Sequence, residues 1–190
     1  MELVKDVAAC AIVYDHEKKS VLMGLRGDCN KWSFAGGKAE PQDVGDCYTA
    51  RRELAEEFGL RFDAIRTVHY NFDSAAIHVV DLGYAAVPGR KSYIKNGVKY
   101  YKDVYYYTHI FLYEMNKNKA SGHILKGIKD KEMEKVRWVH LRDVLKTNIW
   151  PATMVVFNVF MRYWTERYKM TLNDVYWSFT RGGKDDVANS

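Results

Sequence analysis

Residues 37–60 read GKAEPQDVGDCYTARRELAEEFGL, and this stretch decides the fold. Cys47, Ala50, Leu54 and Phe58 follow one another at steps of three, four and four, which predicts one apolar face of a helix. Asp43 or Asp46 is the expected N-cap, and Gly59 the expected C-terminal stop. On that helix Glu53 stands beside both Glu56 and Glu57, because residues three and four apart share a face. Carboxylates so placed repel one another, and Arg52 answers Glu56 at the i+4 position but not all three. Two readings of this cluster stand side by side. Acidic faces on exposed helices are common. Yet carboxylates in a last turn also oppose the helix macrodipole, and a bound divalent cation would resolve that conflict. Oxygen-only donors point to Mg²⁺ or Mn²⁺ rather than zinc.

Outward from the helix, the flanks read mostly as strands. Residues 7–14 are apolar and β-prone, 15–20 are a polar turn and 21–25 resume the strand character, so 7–26 read as a hairpin. Residues 27–30 are a loop, and 32–34 a short extended segment that ends in Gly36-Gly37. Beyond Gly59, strands are expected at about 61–72, 76–87, 98–102 and 104–114. Asn96-Gly97 is a turn signal that predicts a second hairpin over 91–107. Residues 136–139 form another expected strand, and 141–145 a short helix. Pro151 opens a longer helix to about Tyr168, followed by a last helix over 172–179 and a disordered tail over 181–190. Strands interspersed with a few helices give an α/β domain, expected to occupy residues 1–180 as one unit.

Composition narrows the class. At 190 residues the chain can bury a core without disulfides or structural metal. No apolar run approaches the roughly 20 residues of a membrane span, and Asp6, Asp15 and Glu17 argue against a signal peptide. The only three cysteines, Cys10, Cys29 and Cys47, have no C-x-x-C spacing, so a reducing cytoplasm is the expected compartment. A net charge of +5 tolerates polyanionic partners without identifying one. Its lysines and arginines read as a solvated surface, with a mild concentration between Lys91 and Lys135. Tyr93, Tyr100, Tyr101, Tyr105, Tyr106 and Tyr107 crowd one stretch. Such rings can stack bases, but alternating aromatics suit a half-buried strand, and strand core is the expectation.

The stretch 37–60 resembles the Nudix box, G-x5-E-x7-R-E-U-x-E-E-x-G-U, where U is a bulky apolar residue. Arg52, Glu53, Leu54, Glu56, Glu57, Gly59 and Leu60 fill its second half without a mismatch. The approach, residues 31–38 (KWSFAGGK), is similar to the usual W-x-x-P-G-G-K lead-in, with Ala35 where proline is usual. Glu132, six residues before Trp138, looks like the family's late E-x5-W strand. The resemblance covers about residues 7–146, with the helices of 151–180 outside it. It implies a Nudix-type α/β/α sandwich with a mixed sheet, and a Mg²⁺-dependent enzyme (Mn²⁺ as the alternative ion) that hydrolyses a pyrophosphate link. It also implies site residues. Glu53, Glu57 and Glu56 would hold the metal with the Gly37 carbonyl, and Arg52 would orient the glutamates by charge-assisted hydrogen bonds. Glu57 and Glu132 are the candidate general bases, with Glu53 and Arg52 in the same machinery. Arg26, Trp32 and Lys38 are the candidate substrate contacts.

Two departures qualify the match. Asp43 stands where the first glutamate of the box belongs, and the spacer to Arg52 is eight residues, one longer than usual, with the insertion placed near Gly45. Asp43 is expected to serve the loop as a cap or salt-bridge partner, so the change bears on loop geometry more than on metal binding. Substrate choice is not written in the box. Branches acting on ADP-ribose or on dinucleoside polyphosphates carry a marker proline or tyrosine after it, and Ala75, Ala76 and Ile77 match neither. The leading expectation is a nucleotide-type small molecule: a nucleotide sugar, a dinucleotide or a (d)NTP. The alternatives are an RNA 5′ end and a Nudix-fold nucleotide-binding module without catalysis. A homodimer follows from family habit only, and no membrane partner is expected.

Overall fold

A computed structural model of the chain describes residues 2–60, 77–115 and 132–169. The expected strand at 61–72, the helix at 172–179, the tail at 181–190 and the Ala75-Ala76 zone lie outside the described residues. Ten elements follow in order: β1 (Glu2–Asp15), β2 (Ser20–Arg26), β3 (Lys31–Ser33), β4 (Ala35–Lys38), α1 (Asp46–Phe58), β5 (Ile77–Lys95), β6 (Val98–Met115), β7 (Met133–His140), α2 (Leu141–Val144) and α3 (Pro151–Arg167). The strands form one mixed sheet in the order β3-β2-β1-β6-β5, with β4 also paired to β1 and β7 to β2.

Period-two alternation along β1 builds two cores, one on each face of the sheet. Cys10, Ile12 and Tyr14 point to one side and join Val21, Met23, Ile110 and Leu112 under Leu141 and Val144 of α2 and Val156, Phe157, Phe160 and Trp164 of α3. Ala9, Ala11 and Val13 point to the other and meet Ala50, Leu54 and Phe58 of α1. Helices on both faces of a mixed sheet make the α/β/α sandwich that the box resemblance implied. On the α3 side the Trp164 indole N–H donates to the Tyr14 hydroxyl at 3.0 Å, which satisfies the polar end of each buried ring.

Four expectations are corrected. Residues 7–26 are not a full hairpin: β1 pairs with β2 only at Tyr14↔Val21 and Asp15↔Ser20. Below that point β4 takes β2's place, with Ala9↔Gly37, Cys10↔Gly36 and Ala11↔Ala35 in antiparallel register, while β2 goes on to pair with β7 and β3. The tight turn holds two residue pairs together, and a competing strand then captures the edge. The second correction concerns strand length. Residues 77–114 do not break into three strands; β5 and β6 form one long hairpin from Ile77↔Met115 to Lys95↔Val98, turning at Asn96-Gly97. Both turn residues have positive φ, 51° and 75°, as a two-residue hairpin turn requires.

The third correction is the helix start. Neither Asp43 nor Asp46 caps α1; Gly45 is the N-cap, with φ 139° and no side-chain hydrogen bond, and Asp46 is the first helical residue. The C-terminus is as expected, since Gly59 adopts φ 68° and its N–H closes on the Leu54 carbonyl. The fourth is the tyrosine run. Tyr106 is buried, but Tyr93, Tyr100, Tyr101 and Tyr107 are exposed, because among the described residues no helix packs over the parts of the hairpin that carry them.

Candidate active site

The split between β2 and β4 positions the site. Glycine at position 36 lets β4 lie against β1: an added Cβ would fall 2.7 Å from the Ala9 carbonyl oxygen and 3.0 Å from the Cys10 Cα. On the other side α1 rests on the same glycines. The Gly36 N–H donates to Glu57 Oε2 at 2.9 Å. At Gly37 an added Cβ would lie 2.6 Å from the Glu53 Cδ, so the Glu53 carboxylate occupies the space a side chain would take. Glu53 and Glu57 therefore sit on the buried side of α1, and not on a solvated acidic face.

Arg52 organises the remaining charge. Its Nη1 donates to Glu53 Oε1 and to Glu56 Oε2, each at 2.8 Å, and its Nη2 donates to the Lys38 carbonyl at 2.8 Å. Asp43 meets the same guanidinium at 3.2 Å. Asp43 also accepts from the Thr49 hydroxyl and the Glu40 N–H, both at 2.9 Å. The displaced aspartate therefore bridges the loop to the helix as a salt-bridge partner and does not cap it. Burial acts to raise the Asp43 pKa, but the bonds from Arg52, Glu40 and Thr49 outweigh it and hold the carboxyl below its ordinary value.

The two buried glutamates behave in the opposite way. Burial lifts the Glu53 carboxyl to about 7 against the pull of Arg52. Burial, reinforced by the neighbouring Glu53 charge, lifts Glu57 to about 8 despite the Gly36 N–H. Two carboxylates out of water, of which only Glu53 is bonded to the Arg52 guanidinium, are short of positive charge. That shortage, the oxygen-only donor set and the glycine cradle fit a hard divalent cation. Among the described residues, however, no three His, Cys, Asp or Glu side chains are gathered as a ready-made metal cage. Arg52 bonds Glu53 and Glu56 alike, but only Glu53 and Glu57 are buried against the glycines, and they are the pair a cation would meet.

The other expected residues divide. Arg26 closes β2 with its guanidinium on Asp28 at 3.0 Å and 3.7 Å from Glu132, and its charge reaches Glu57. Glu132 precedes β7, where its carbonyl accepts the Gly27 N–H at 2.8 Å. Arg26, Glu132 and Glu57 are thus brought together. Trp32 is not among them: it packs with the core on the α3 side, and the Arg137 guanidinium lies 4.1 Å over its ring. Lys38 also points away, its Nζ 4.8 Å from the centre of the Tyr106 ring, and only its backbone carbonyl joins the Arg52 network. A residue missed in the sequence is Trp150. Its ring receives Arg26 at 5.7 Å and Lys31 at 5.5 Å, and the Trp150 backbone N–H donates to the Trp32 carbonyl at 2.9 Å. No local pattern marked it, because β3 and the start of α3 meet only in three dimensions.

With this geometry in view, comparison with known proteins places the chain. The profile of the NUDIX domain matches residues 4–158. Comparison with curated proteins gave no significant match. Among solved structures, the NUDIX domain of Shewanella oneidensis NrtR, complexed with ADP ribose, superposes with a TM-score of 0.57 at 16% identity, covering 85% of this chain and 90% of that one. A C. elegans Ap4A hydrolase binary complex gives 0.52 at 16% identity, covering 85% and 98%. The C-terminal domain of mouse MUTYH, in complex with human PCNA, gives 0.51 at 14% identity, covering 88% and 92%. At these identities the likeness is one of fold.

Proposed function

The chain belongs to the Nudix family, and from that premise we propose that it is a Mg²⁺-dependent pyrophosphohydrolase of a nucleoside-diphosphate-linked small molecule. The observation that carries this reading is the pair Glu53 and Glu57, buried against Gly36 and Gly37 with too little positive charge nearby. A structural acidic surface would leave such groups in water, whereas holding them dry disfavours their charged form unless a cation joins them.

In the proposed reaction, water attacks phosphorus, the anhydride P–O bond breaks, and two phosphate-bearing products leave. A divalent cation, when bound, would supply charge neutralisation on the phosphate oxygens. Glu53 and Glu57 would hold it, with Glu56 and the Gly37 carbonyl as the further donors. The chain's own part is positioning. Gly36 N–H fixes one Glu57 oxygen, Arg52 fixes Glu53 and Glu56, and Arg26 is the cation placed to meet a substrate phosphate. The proton of the attacking water passes to a carboxylate, Glu57 or Glu132.

The test is phosphate release, after coupling to a phosphatase, with and without Mg²⁺. The panel comprises ADP-ribose, diadenosine tetraphosphate, NADH, nucleotide sugars, (d)NTPs and a short capped RNA. Mg²⁺-dependent turnover of one small molecule, abolished in Glu57→Gln with the fold intact, is the expected outcome. Turnover of the RNA alone would replace this reading by an RNA 5′-end hydrolase. Ligand binding without turnover of any compound would replace it by a binding module.

A further inference from the structure

One feature outside the site has no role in that reaction: the outer end of the β5–β6 hairpin. Strand β1 follows β6 only as far as Val104. Beyond that, residues 90–95 and 98–103 pair only with each other among the described residues. At about 3.3 Å per residue the ribbon runs roughly 20 Å past the body of the sheet. A two-stranded ribbon by itself has little to stabilise it, so its composition is informative.

Residues 90–103 contain Arg90, Lys91, Lys95, Lys99 and Lys102 against the single carboxylate of Asp103. This ribbon therefore carries a surplus of four positive charges on a chain whose net charge is +5. The register sorts them by face. Lys91↔Lys102, Tyr93↔Tyr100 and Lys95↔Val98 are opposite pairs, so of the ribbon's own residues one face carries three lysines around two tyrosines. The Tyr93 and Tyr100 rings lie 5.6 Å apart at 20°, and both remain about half exposed. Arg90, Asp103, Ile94, Lys99 and Tyr101 take the other face. The lysine-tyrosine face continues down the sheet to Tyr106, whose ring carries the Lys38 ammonium, one residue from Gly37.

We propose that this ribbon is a binding arm for single-stranded nucleic acid. Lysines spaced along an extended ribbon neutralise successive phosphates, and exposed tyrosines between them offer stacking surfaces to unpaired bases. Charge selects among occupants: a second copy of the chain would bring an identical basic arm and be repelled. An acidic protein would use the lysines but leave the tyrosine pair without a role. A strand held here runs along the face that leads to Lys38.

The experiment measures fluorescence anisotropy of labelled 20-nucleotide single strands, RNA and DNA, with the full chain at several salt concentrations. Duplex RNA and heparin serve as competitors. The expected result is binding of a single strand with a slope of log K on log salt near −2, about 0.7 per phosphate met by three lysines. Lys91→Glu with Lys95→Glu reduces that slope by about 1.4. Tyr93→Ala with Tyr100→Ala weakens binding about tenfold or more with the slope unchanged, as lost stacking requires. RNA against DNA identifies which strand is preferred. Phosphate release from a small-molecule substrate stays unchanged in both variants, and loss of that activity alone would leave the arm's binding standing. No binding at low salt, affinity indifferent to the lysine change, or equal competition by heparin with no effect of the tyrosine change would overturn the proposal. An arm-dependent dimer in sedimentation would also overturn it.

Discussion

Alanine at two adjacent glycines tests the site's construction, because the same added methyl group meets two different kinds of obstacle. At Gly36 the new Cβ falls 2.7 Å from the Ala9 carbonyl oxygen and 3.0 Å from the Cys10 Cα. Those are backbone atoms of β1, locked in register with β4. Relief requires the strands to part, and overpacking of this kind costs about 1–3 kcal/mol. For a chain of this length that is a fall in Tm of about 2–4 °C per kcal/mol. At Gly37 the obstacle is the Glu53 carboxylate, with its Cδ 2.6 Å away, and a side-chain end can swing. Gly37→Ala is therefore expected to change stability by less than about 1 kcal/mol, helped by lower chain entropy in the unfolded state. It also displaces Glu53 from Arg52 and from the position a cation would use, and misplacement by about 1 Å costs on the order of 100-fold in rate. The assay is urea unfolding followed by circular dichroism, together with phosphate release on the best substrate. Gly36→Ala should fail the first, and Gly37→Ala only the second. Wild-type turnover in a folded Gly37→Ala protein would refute the claim that the Glu53 carboxylate must rest on that glycine.

Three further outcomes follow from the same geometry. Glu57 has its pKa raised from 4.5 to about 8, so between those values the folded chain keeps a proton that the unfolded chain has released. Stability must then fall as pH rises through that window. In EDTA the wild-type urea midpoint should drop from pH 5 to pH 8, Glu57→Gln should lessen the slope to the part that Glu53, raised to about 7, contributes, and Mg²⁺ should offset the loss at pH 8; parallel curves for the two proteins would sink the argument. Asp43→Ala removes bonds to Arg52, Thr49 and Glu40 and leaves a partly buried guanidinium short of a partner. Its expected cost is about 2–4 kcal/mol in urea unfolding, and a loss below about 0.5 kcal/mol would show that the bridge is incidental. Trp150→Ala, which removes a ring held against Arg26 and Lys31, should raise KM about tenfold at unchanged kcat for substrates with a base that stacks there. An unchanged KM across such substrates would exclude that contact.

How much of this was legible in the sequence depends on the range of the interaction. Helix α1 was readable because its apolar steps, its Gly59 stop and the Arg52 to Glu56 contact are local. The same spacing put Glu53 and Glu57 on one face but could not tell whether that face was wet. Burial came from β4, whose two glycines carry no side-chain pattern to announce a strand. Asp43 was visible as a departure, yet its reach to Arg52 across nine positions depends on how the loop folds back. The tyrosine run misled for a related reason. Alternation shows that a segment is a strand and is silent on whether anything covers it. Here Tyr106 is covered and Tyr93, Tyr100 and Tyr101 are not.

The site exists because β1 changes partners along its length. Near its end it holds β2 through two residue pairs, and earlier it holds β4 through four. Had β2 kept the whole edge in the same register, Leu25 and Arg26 would stand opposite Cys10 and Ala9, where Gly36 and Gly37 now lie, and α1 would ride farther from the sheet. The exchange puts a glycine pair under the helix and small residues, Ala9, Cys10 and Ala11, behind it. Helix and strand then approach closely enough for a backbone N–H to reach Glu57. The displaced β2 is released to carry Arg26 toward the same carboxylate, and its pairing with β7 brings Glu132 beside it. One change of pairing thus gathers residues from β2, β4, α1 and the start of β7. The altered box leaves that approach in place, since Asp43 acts on the loop ahead of α1 and the close approach of α1 to β4 is set by the glycines.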